Sequence, residues 1–385
     1  MKRAHRIKPF PGPITARLSA LFLSVLLVIG SAPGLLRAQE GGSGQRAEDR
    51  DGLAQAFTHA VESIRRHQRP AGYWETLVTP GPVFESVTSE VNVFTPAFIV
   101  DLLEPVARET GLVEVLDRAR GYLRRQVEPT GLARYHGDPG RMDPSQLGCE
   151  LPPDTDDTAL IWRIAPSQDA ERLRAARRAM ERYRTDGGLY LTWLADQRTY
   201  RCFYTRFFPR DPNPADVGIQ MHVYLFLAKY DAPAAARLCR SLRQHIAEDR
   251  IWVWYTLAPL LPLVREVDLA RAGCPVRVPE RRLQKAVPGQ EAYMAQGRLL
   301  RDLLLSSDSR PFRDPAVQML GQFAAGRFEK WSQVPPLLYH NALSALPPHY
   351  HWSEDAGYAL WLRLYVETAR RSDGALPLPI RPVTP

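Results

Sequence analysis

The chain has 385 residues, a formal net charge of +8 and 24% charged residues. A sequence of this length can bury one large hydrophobic core or two small ones. The arginines are spread through helical segments beside Asp and Glu and form no single stripe, so the charge does not indicate a nucleic-acid-binding protein. The composition does not exclude a basic face that attracts anionic lipid. Such a face would allow a peripheral membrane contact.

The first 38 residues have the layout of a secretory signal peptide. Basic residues precede an apolar run from Leu18 to Ile29, and Leu36-Arg37-Ala38 offers a small residue at a cleavage point. An uncleaved membrane anchor is the alternative, although the run is short for a bilayer span of roughly 20 residues. Residues 39–50 contain a Gly-Gly-Ser-Gly stretch and are expected to be a flexible lead. Both alternatives predict an exported protein, periplasmic or secreted.

Helical periodicity dominates the rest of the chain, and no long stretch alternates apolar and polar residues as a half-buried strand does. Amphipathic helices are predicted at Leu53–Ile64, Val113–Leu123, Leu173–Tyr183, Ala234–Ile246 and Tyr293–Leu305. More apolar helices are predicted at Phe94–Leu103, Thr158–Ile164, Ile219–Leu227, Tyr255–Val264 and Gly357–Val366. Pairs of this kind predict an outer ring of amphipathic helices around an inner ring of buried ones.

A turn motif recurs after the amphipathic helices. Its complete copy is Gln68-x-x-x-Gly72-x-Trp74. The degenerate copies are Gln126 to Gly131 to Tyr135, Arg184-x-x-x-Gly188-x-Tyr190 and Ile246-x-x-x-Arg250-x-Trp252. The aromatic residues stand 61, 55 and 62 residues apart, and such a steady interval indicates stacked supersecondary units. In each unit, glycine is expected to end the helix in a left-handed conformation while the aromatic ring packs over the turn.

The predicted fold class is therefore all-α, a single α/α toroid of five to six helical hairpins over residues 51–372. A Pro-rich tail follows at residues 373–385. An open solenoid of the same hairpins is the alternative, but it would need capping units at its ends.

An acidic motif, Asp154-Thr155-Asp156-Asp157, follows two prolines where an inner helix is predicted to begin. Asp and Thr are preferred helix caps, and carboxylates in a first turn complement the helix dipole, so the motif can be purely structural. The other interpretation is catalytic. Three carboxylates in a dry site raise at least one pKa, and a protonated carboxyl group can donate its proton to an alkene or an epoxide. The residues alone leave both interpretations open.

Two motifs resemble those of one enzyme family. Gln68 to Trp74 matches the QW motif of the squalene-hopene and oxidosqualene cyclases, and Asp154 to Asp157 resembles the Asp-x-Asp-Asp motif of class II terpene cyclases. The resemblance covers roughly residues 50–265. It implies an isoprenoid or other lipid substrate and proton-initiated cyclisation, with Asp156 as the acid and Asp154 and Asp157 in support. We expect no cofactor and no metal.

Carbocation chemistry also needs aromatic faces, whose negative quadrupole stabilises positive charge. The candidates for substrate binding lie near other inner-helix starts and are Tyr204, Trp254, Tyr255 and Trp352, with Phe203 and Tyr358 beside them. The polar residues expected at the same mouth of a closed ring are Asp216, His222, Glu354 and Asp355. For each aromatic residue core packing is the simpler explanation, and His222 fits a buried core histidine. The segment His349-Tyr350-His351 is interpreted as a polar loop, because it offers no clear third or fourth metal ligand.

Four cysteines allow two disulfides in an oxidising compartment, and the preferred pairs are Cys149 with Cys202 and Cys239 with Cys274. Free buried thiols are the alternative.

Two other function classes stay open beside the cyclase. One is a non-catalytic toroid that binds a lipid or a protein partner. The other is an exported six-hairpin glycoside hydrolase or lyase, which would use a carboxylate pair in an aromatic-lined cleft. Cyclases with the acidic motif generally use two toroids, whereas this chain is long enough for one. The sequence predicts no oligomeric state.

Overall fold

The computed structural model describes residues 42–137, 151–195, 213–341, 348–372 and 376. This part of the chain contains thirteen helices and four short strands. Side chains are described from residue 51 onward, Ser332 excepted. The predicted signal peptide, the Cys149–Cys202 pair and residues Phe203 and Tyr204 lie outside these ranges, as does the predicted tail apart from Leu376. From Ser43 onward, the described residues form one compact unit.

Each of the ten predicted helices overlaps an observed helix, whereas the observed helices Glu280–Leu283, Arg310–Ala325 and Glu329–Gln333 were not predicted. The bounds of the observed helices are α1 Gly42–His67, α2 Phe94–Leu103, α3 Val113–Arg125, α4 Thr155–Ile164, α5 Ala170–Arg182, α6 Val217–Tyr230, α7 Ala232–Ala247, α8 Leu260–Arg271, α9 Glu280–Leu283, α10 Glu291–Leu305, α11 Arg310–Ala325, α12 Glu329–Gln333 and α13 Glu354–Ala369. Helix α1 begins at Gly42, so it extends into the segment expected to be a flexible lead. The residues after Gly44 in that segment are mostly good helix formers and contain no proline.

Six helices form a closed inner ring. Helix α2 packs against α4, α4 against α6, α6 against α8, α8 against α10 and α10 against α13, and α13 returns to α2. Outer helices α3, α5, α7 and α11 each pack on the inner helix that precedes them in the chain. The side chain of Phe57 on α1 contacts Tyr365 on α13. The predicted toroid is confirmed, and a closed ring excludes the open solenoid.

Helix α10 differs from the prediction in its ring, and helix α8 differs in its first residue. Helix α10 was expected in the outer ring because polar residues interrupt its apolar positions, but Gln296, Gly297 and Arg301 are buried between α8 and α13. Helix α8 begins at Leu260 instead of Tyr255, because residues 252–259 form a turn that hydrogen bonds tie to the start of α6.

The turn motif has the predicted geometry. The indole N–H of Trp74 donates to the carbonyl of Ile64 at 2.9 Å, which fixes the ring over the end of α1. Gly72 has a φ of +105°, and a Cβ at this position would lie 2.5 Å from the carbonyl oxygen of Arg118. The glycine turns at Gly72 and Gly131 therefore let the end of one outer helix touch the backbone of the next.

The strands form a small antiparallel sheet at one end of the ring. Their bounds are β1 Thr76–Thr79, β2 Thr88–Glu90, β3 Leu337–Asn341 and β4 His349–Trp352, and their order is β2-β1-β4-β3. Register pairs join Leu77 to Trp352 and Val78 to His351. The sheet thus joins the segment before α2 to the segment before α13, the two inner helices that close the ring.

Cys239 on α7 and Cys274 after α8 form a disulfide with a Cα–Cα distance of 5.7 Å, which confirms this predicted pair. Within the described ranges, no helix combines the length and the apolar character needed to cross a bilayer.

Candidate active site

The acidic motif begins inner helix α4, as predicted. Asp154 is the N-cap, and its carboxylate accepts the backbone N–H of Asp157 at 2.7 Å. Burial, followed by the charges of its neighbours, raises the pKa of Asp157 well above its usual range. Burial also raises the pKa of Asp154 to about 7, although a hydrogen bond from Asp157 opposes the shift. Two of the three carboxyl groups are therefore held near or in their neutral form.

Asp156 differs from its two neighbours in exposure. Its side chain is 14% exposed, whereas residues Asp154 and Asp157 are 4% and 2% exposed. Its Oδ1 is hydrogen-bonded to Nδ1 of His222, which is fully buried on α6. Of the three carboxyl groups, Asp156 alone has both a histidine partner and appreciable access to solvent.

Arg265 on α8 fixes the tautomer of His222. Its Nε–H donates to Nε2 of His222 at 3.0 Å, and a guanidinium group cannot accept a hydrogen bond. The neutral imidazole must therefore carry its proton on Nδ1 and donate it to Asp156. Burial, opposed by the charge of Asp156, lowers the pKa of His222 and favours this neutral form.

Buried ion pairs hold Arg265 in position. Its guanidinium contacts Asp101 on α2 and lies 3.0 Å from Asp268 on α8. Asp101 also pairs with Arg163 at the end of α4. Burial raises the pKa of Asp101, but the charges of the two arginines outweigh it and keep the pKa well below the usual range. Side chains of three inner helices thus anchor the pair formed by His222 and Asp156.

A cavity of about 880 Å³, including the space open to solvent at its mouth, lies beside the acidic motif. Aromatic rings dominate its apolar surface, and they are Phe94, Tyr135, Trp193, Trp254, Tyr255 and Tyr339. Two walls face the cavity: an acid wall of Asp154, Asp156 and Asp157, and a sheet wall of Glu90, Tyr339, Asn341, His349 and His351.

Asp216 positions the two aromatic residues at 254 and 255. It caps α6 by accepting the N–H of Gly218 at 2.8 Å, and its other oxygen accepts the N–H groups of Val253 and Trp254 at 2.7 and 3.0 Å. Gly218 leaves room for the neighbouring ring, because a Cβ there would lie 2.2 Å from Tyr255. Trp254 and Tyr255 both line the cavity, and their role in substrate binding stays a prediction.

The sheet wall contains residues that sequence reasoning missed. The segment His349-Tyr350-His351 is strand β4, not a loop, and His351 faces the cavity. Its Nδ1 lies 3.2 Å from Oε1 of Glu90 on β2. Tyr135 contributes a hydroxyl to the same carboxylate. The one signal in the sequence was the run of His and Tyr just before an inner helix.

Other predicted site residues lie elsewhere. Trp352 does not line the cavity: it is fully buried and donates its indole N–H to Thr79. Alternate residues of a strand point to opposite faces, and on β4 it is His351 that points to the cavity. Asp355 pairs with His67 at the end of α1 at 2.9 Å. Tyr358 packs against Trp331, and its hydroxyl donates to Glu354, so these residues stabilise the start of α13.

Solved structures with the same fold exist, although no family model and no curated protein matches the sequence. A variant of the type II terpene cyclase MstE from Scytonema, in complex with geranylgeranyl dihydroxybenzoate, aligns with a TM-score of 0.52 at 14% identity. An apo form of another MstE variant aligns with a TM-score of 0.51, also at 14% identity. Each alignment covers 84% of this chain and 99% of the other. The chain therefore has the fold of a solved type II terpene cyclase, a helical toroid.

Proposed function

We propose that the protein catalyses the proton-initiated cyclisation of an isoprenoid lipid, with Asp156 as the proton donor. The observation that carries the proposal is the position of Asp156, which faces an aromatic-lined cavity and is hydrogen-bonded through one oxygen to His222. In the reaction, the Asp156 proton forms a new C–H bond with an alkene carbon or opens an epoxide. The carboxylate stays behind, and the positive charge passes to the substrate.

The hydrogen bond from His222 supports this role. Nδ1–H donates to the oxygen that becomes negatively charged, and hydrogen bonds to a charged form favour that form. Arg265 places a positive charge behind the imidazole. Both groups stabilise the negative charge that Asp156 carries after the proton has left.

The cavity supplies the other requirement, protection of a carbocation. Rings such as Phe94, Trp254 and Tyr255 present π-electron faces that stabilise positive charge without reacting with it. The size of the chain fits the proposal too. The alignment with MstE covers 99% of that protein, so a type II terpene cyclase can consist of a ring of this length.

A product assay tests the proposal. The full chain is incubated with squalene, epoxysqualene and geranylgeranyl dihydroxybenzoate, and the lipids are analysed by mass spectrometry. We expect an isomeric product from the wild type, and at least a hundredfold less from Asp156→Asn, since loss of general acid catalysis costs roughly 10²–10⁴-fold. Asp117→Asn is the matched control, because Asp117 is an exposed carboxylate on outer helix α3.

Two outcomes would contradict the proposal. An equal rate of product formation by Asp156→Asn would remove Asp156 as the acid. Retention of a lipid without conversion by the wild type would instead favour a toroid that binds its ligand and does no chemistry.

A further inference from the structure

We propose that His351, oriented by Glu90, is the base that accepts the proton ending the cyclisation. This inference rests on the proposed function and adds the second proton transfer of the reaction. It predicts that the product is an alkene isomer of the substrate, not an alcohol formed by capture of water.

The carboxylate of Glu90 is built into the sheet wall. Its Oε1 accepts the side-chain N–H of Asn92 at 3.0 Å and the hydroxyl of Tyr135, and its Oε2 lies 3.6 Å from Nε2 of His136. A negative charge is therefore fixed on the cavity wall formed by the sheet.

The hydrogen bonds around His351 define its tautomer. Nδ1 faces two oxygens, Oε1 of Glu90 at 3.2 Å and the hydroxyl of Tyr135 at 3.3 Å. The carboxylate can only accept, and the hydroxyl has already donated its proton to Glu90. Nδ1 must therefore carry a proton, which leaves the lone pair of the neutral imidazole on Nε2. A histidine with one nitrogen held by a carboxylate and the other free is the arrangement of a general base.

The surroundings of His351 stabilise the imidazolium that forms. Glu90 would become its ion-pair partner. The ring of Tyr339 stacks on it with a centroid distance of 4.3 Å and an interplanar angle of 14°. A cation over an aromatic face is stabilised by the negative quadrupole of the ring.

The acid and the base share one aromatic surface. The Phe94 ring lies 6.2 Å from the His222 ring and 5.0 Å from Tyr339, and Tyr339 stacks on His351. A positive charge that starts at Asp156 can move along these faces toward the carboxylate of Glu90. At its end, a C–H bond next to the cationic carbon breaks. Its electron pair forms the C=C bond, and the proton goes to Nε2 of His351.

The product pattern of His351→Phe tests the base. Phenylalanine keeps the stacking on Tyr339, so the full-chain variant should still consume substrate in a reaction that depends on Asp156. We expect the wild-type alkene to fall at least tenfold as a share of products, replaced by alkenes with other double-bond positions or by hydrated products. His245→Phe, on outer helix α7, is the matched control. An unchanged product pattern in His351→Phe overturns the assignment.

A binding measurement separates this inference from the proposed function. Protonated N,N-dimethyldodecylamine imitates a carbocation on a hydrocarbon chain and can be titrated calorimetrically into the full chain. We expect Glu90→Gln to bind the amine at least tenfold more weakly than the wild type, with circular dichroism confirming its fold. Equal binding overturns the role of Glu90 whether or not a product forms. If the wild type forms no product, both the proposed function and the role of His351 as a base are wrong. The amine result then decides only whether Glu90 and His351 attract cations.

Discussion

Asp216 gives the protein a pH-dependent stability that can be calculated from its surroundings. Burial raises its pKa to about 7 from a usual value of 3.8, against the opposing effect of three backbone N–H donors. Because the folded-state pKa lies above the unfolded value, the folded state binds this proton more tightly. The contribution to stability is complete below about pH 4 and is lost as the pH rises through 7. A shift of about three units corresponds to about 4 kcal/mol, at roughly 1.4 kcal/mol per unit.

The variant Asp216→Asn cannot titrate, so it should not show this loss. We expect the free energy of unfolding of the wild type, relative to the variant, to fall by about 4 kcal/mol between pH 4 and pH 8. Urea unfolding at pH 4, 6 and 8, followed by tryptophan fluorescence, measures the difference. Asp117→Asn, which removes an exposed carboxylate, should differ little from the wild type in its pH dependence. Parallel pH curves for the wild type and Asp216→Asn would refute the reasoning, because they would mean that the three N–H donors keep the carboxylate charged.

Two further predictions concern the site and the outer ring. Gly218→Ala should lower the free energy of unfolding by about 1–3 kcal/mol and change the product pattern, because its Cβ would overlap the Tyr255 ring. Gly321→Ala is the control, because its Cβ would meet none of the described atoms outside the backbone of its own helix within 4 Å. It should be neutral or stabilise by up to about 1 kcal/mol in the same urea-unfolding and product assays. Reduction of the disulfide between Cys239 and Cys274, 35 residues apart, should destabilise by about 4 kcal/mol through the entropy of the unfolded chain. Equal urea midpoints with and without reductant would contradict that last value.

Local patterns predicted much of the ring. The bounds of α2 match the apolar segment Phe94–Leu103, and Asp154 caps α4 as its residue type suggests. These features depend on neighbours within one or two turns, which a sequence displays directly. The place of α10 in the inner ring could not be predicted from the local pattern. Gln296 and Arg301 are polar, and they become buried only when the ring closes.

The partners across the cavity could not be predicted in this way. Asp156 and His222 are 66 residues apart, and Tyr135 and His351 are 216 residues apart. No period in the sequence relates such positions, and the strands that carry the sheet wall have only three to five residues. The acid could therefore be proposed from its motif, and His222 could be expected at the same mouth of the ring. The hydrogen bond between the two and the carboxylate–histidine pair opposite needed the structure.

The return of α13 to α2 has a consequence for how the protein is made. Strand β4 and α13 come from the C-terminal part of the chain, yet they complete the cavity by pairing with β1 and packing on α2 near the other end. During synthesis the hairpins between them can form early from local contacts, while the cavity must wait for the last helix. Contacts of such long sequence separation slow folding. A ribosome-bound or truncated chain that ends before residue 349 would therefore contain Asp156 and His222 but lack the part of the cavity that β4 and α13 complete.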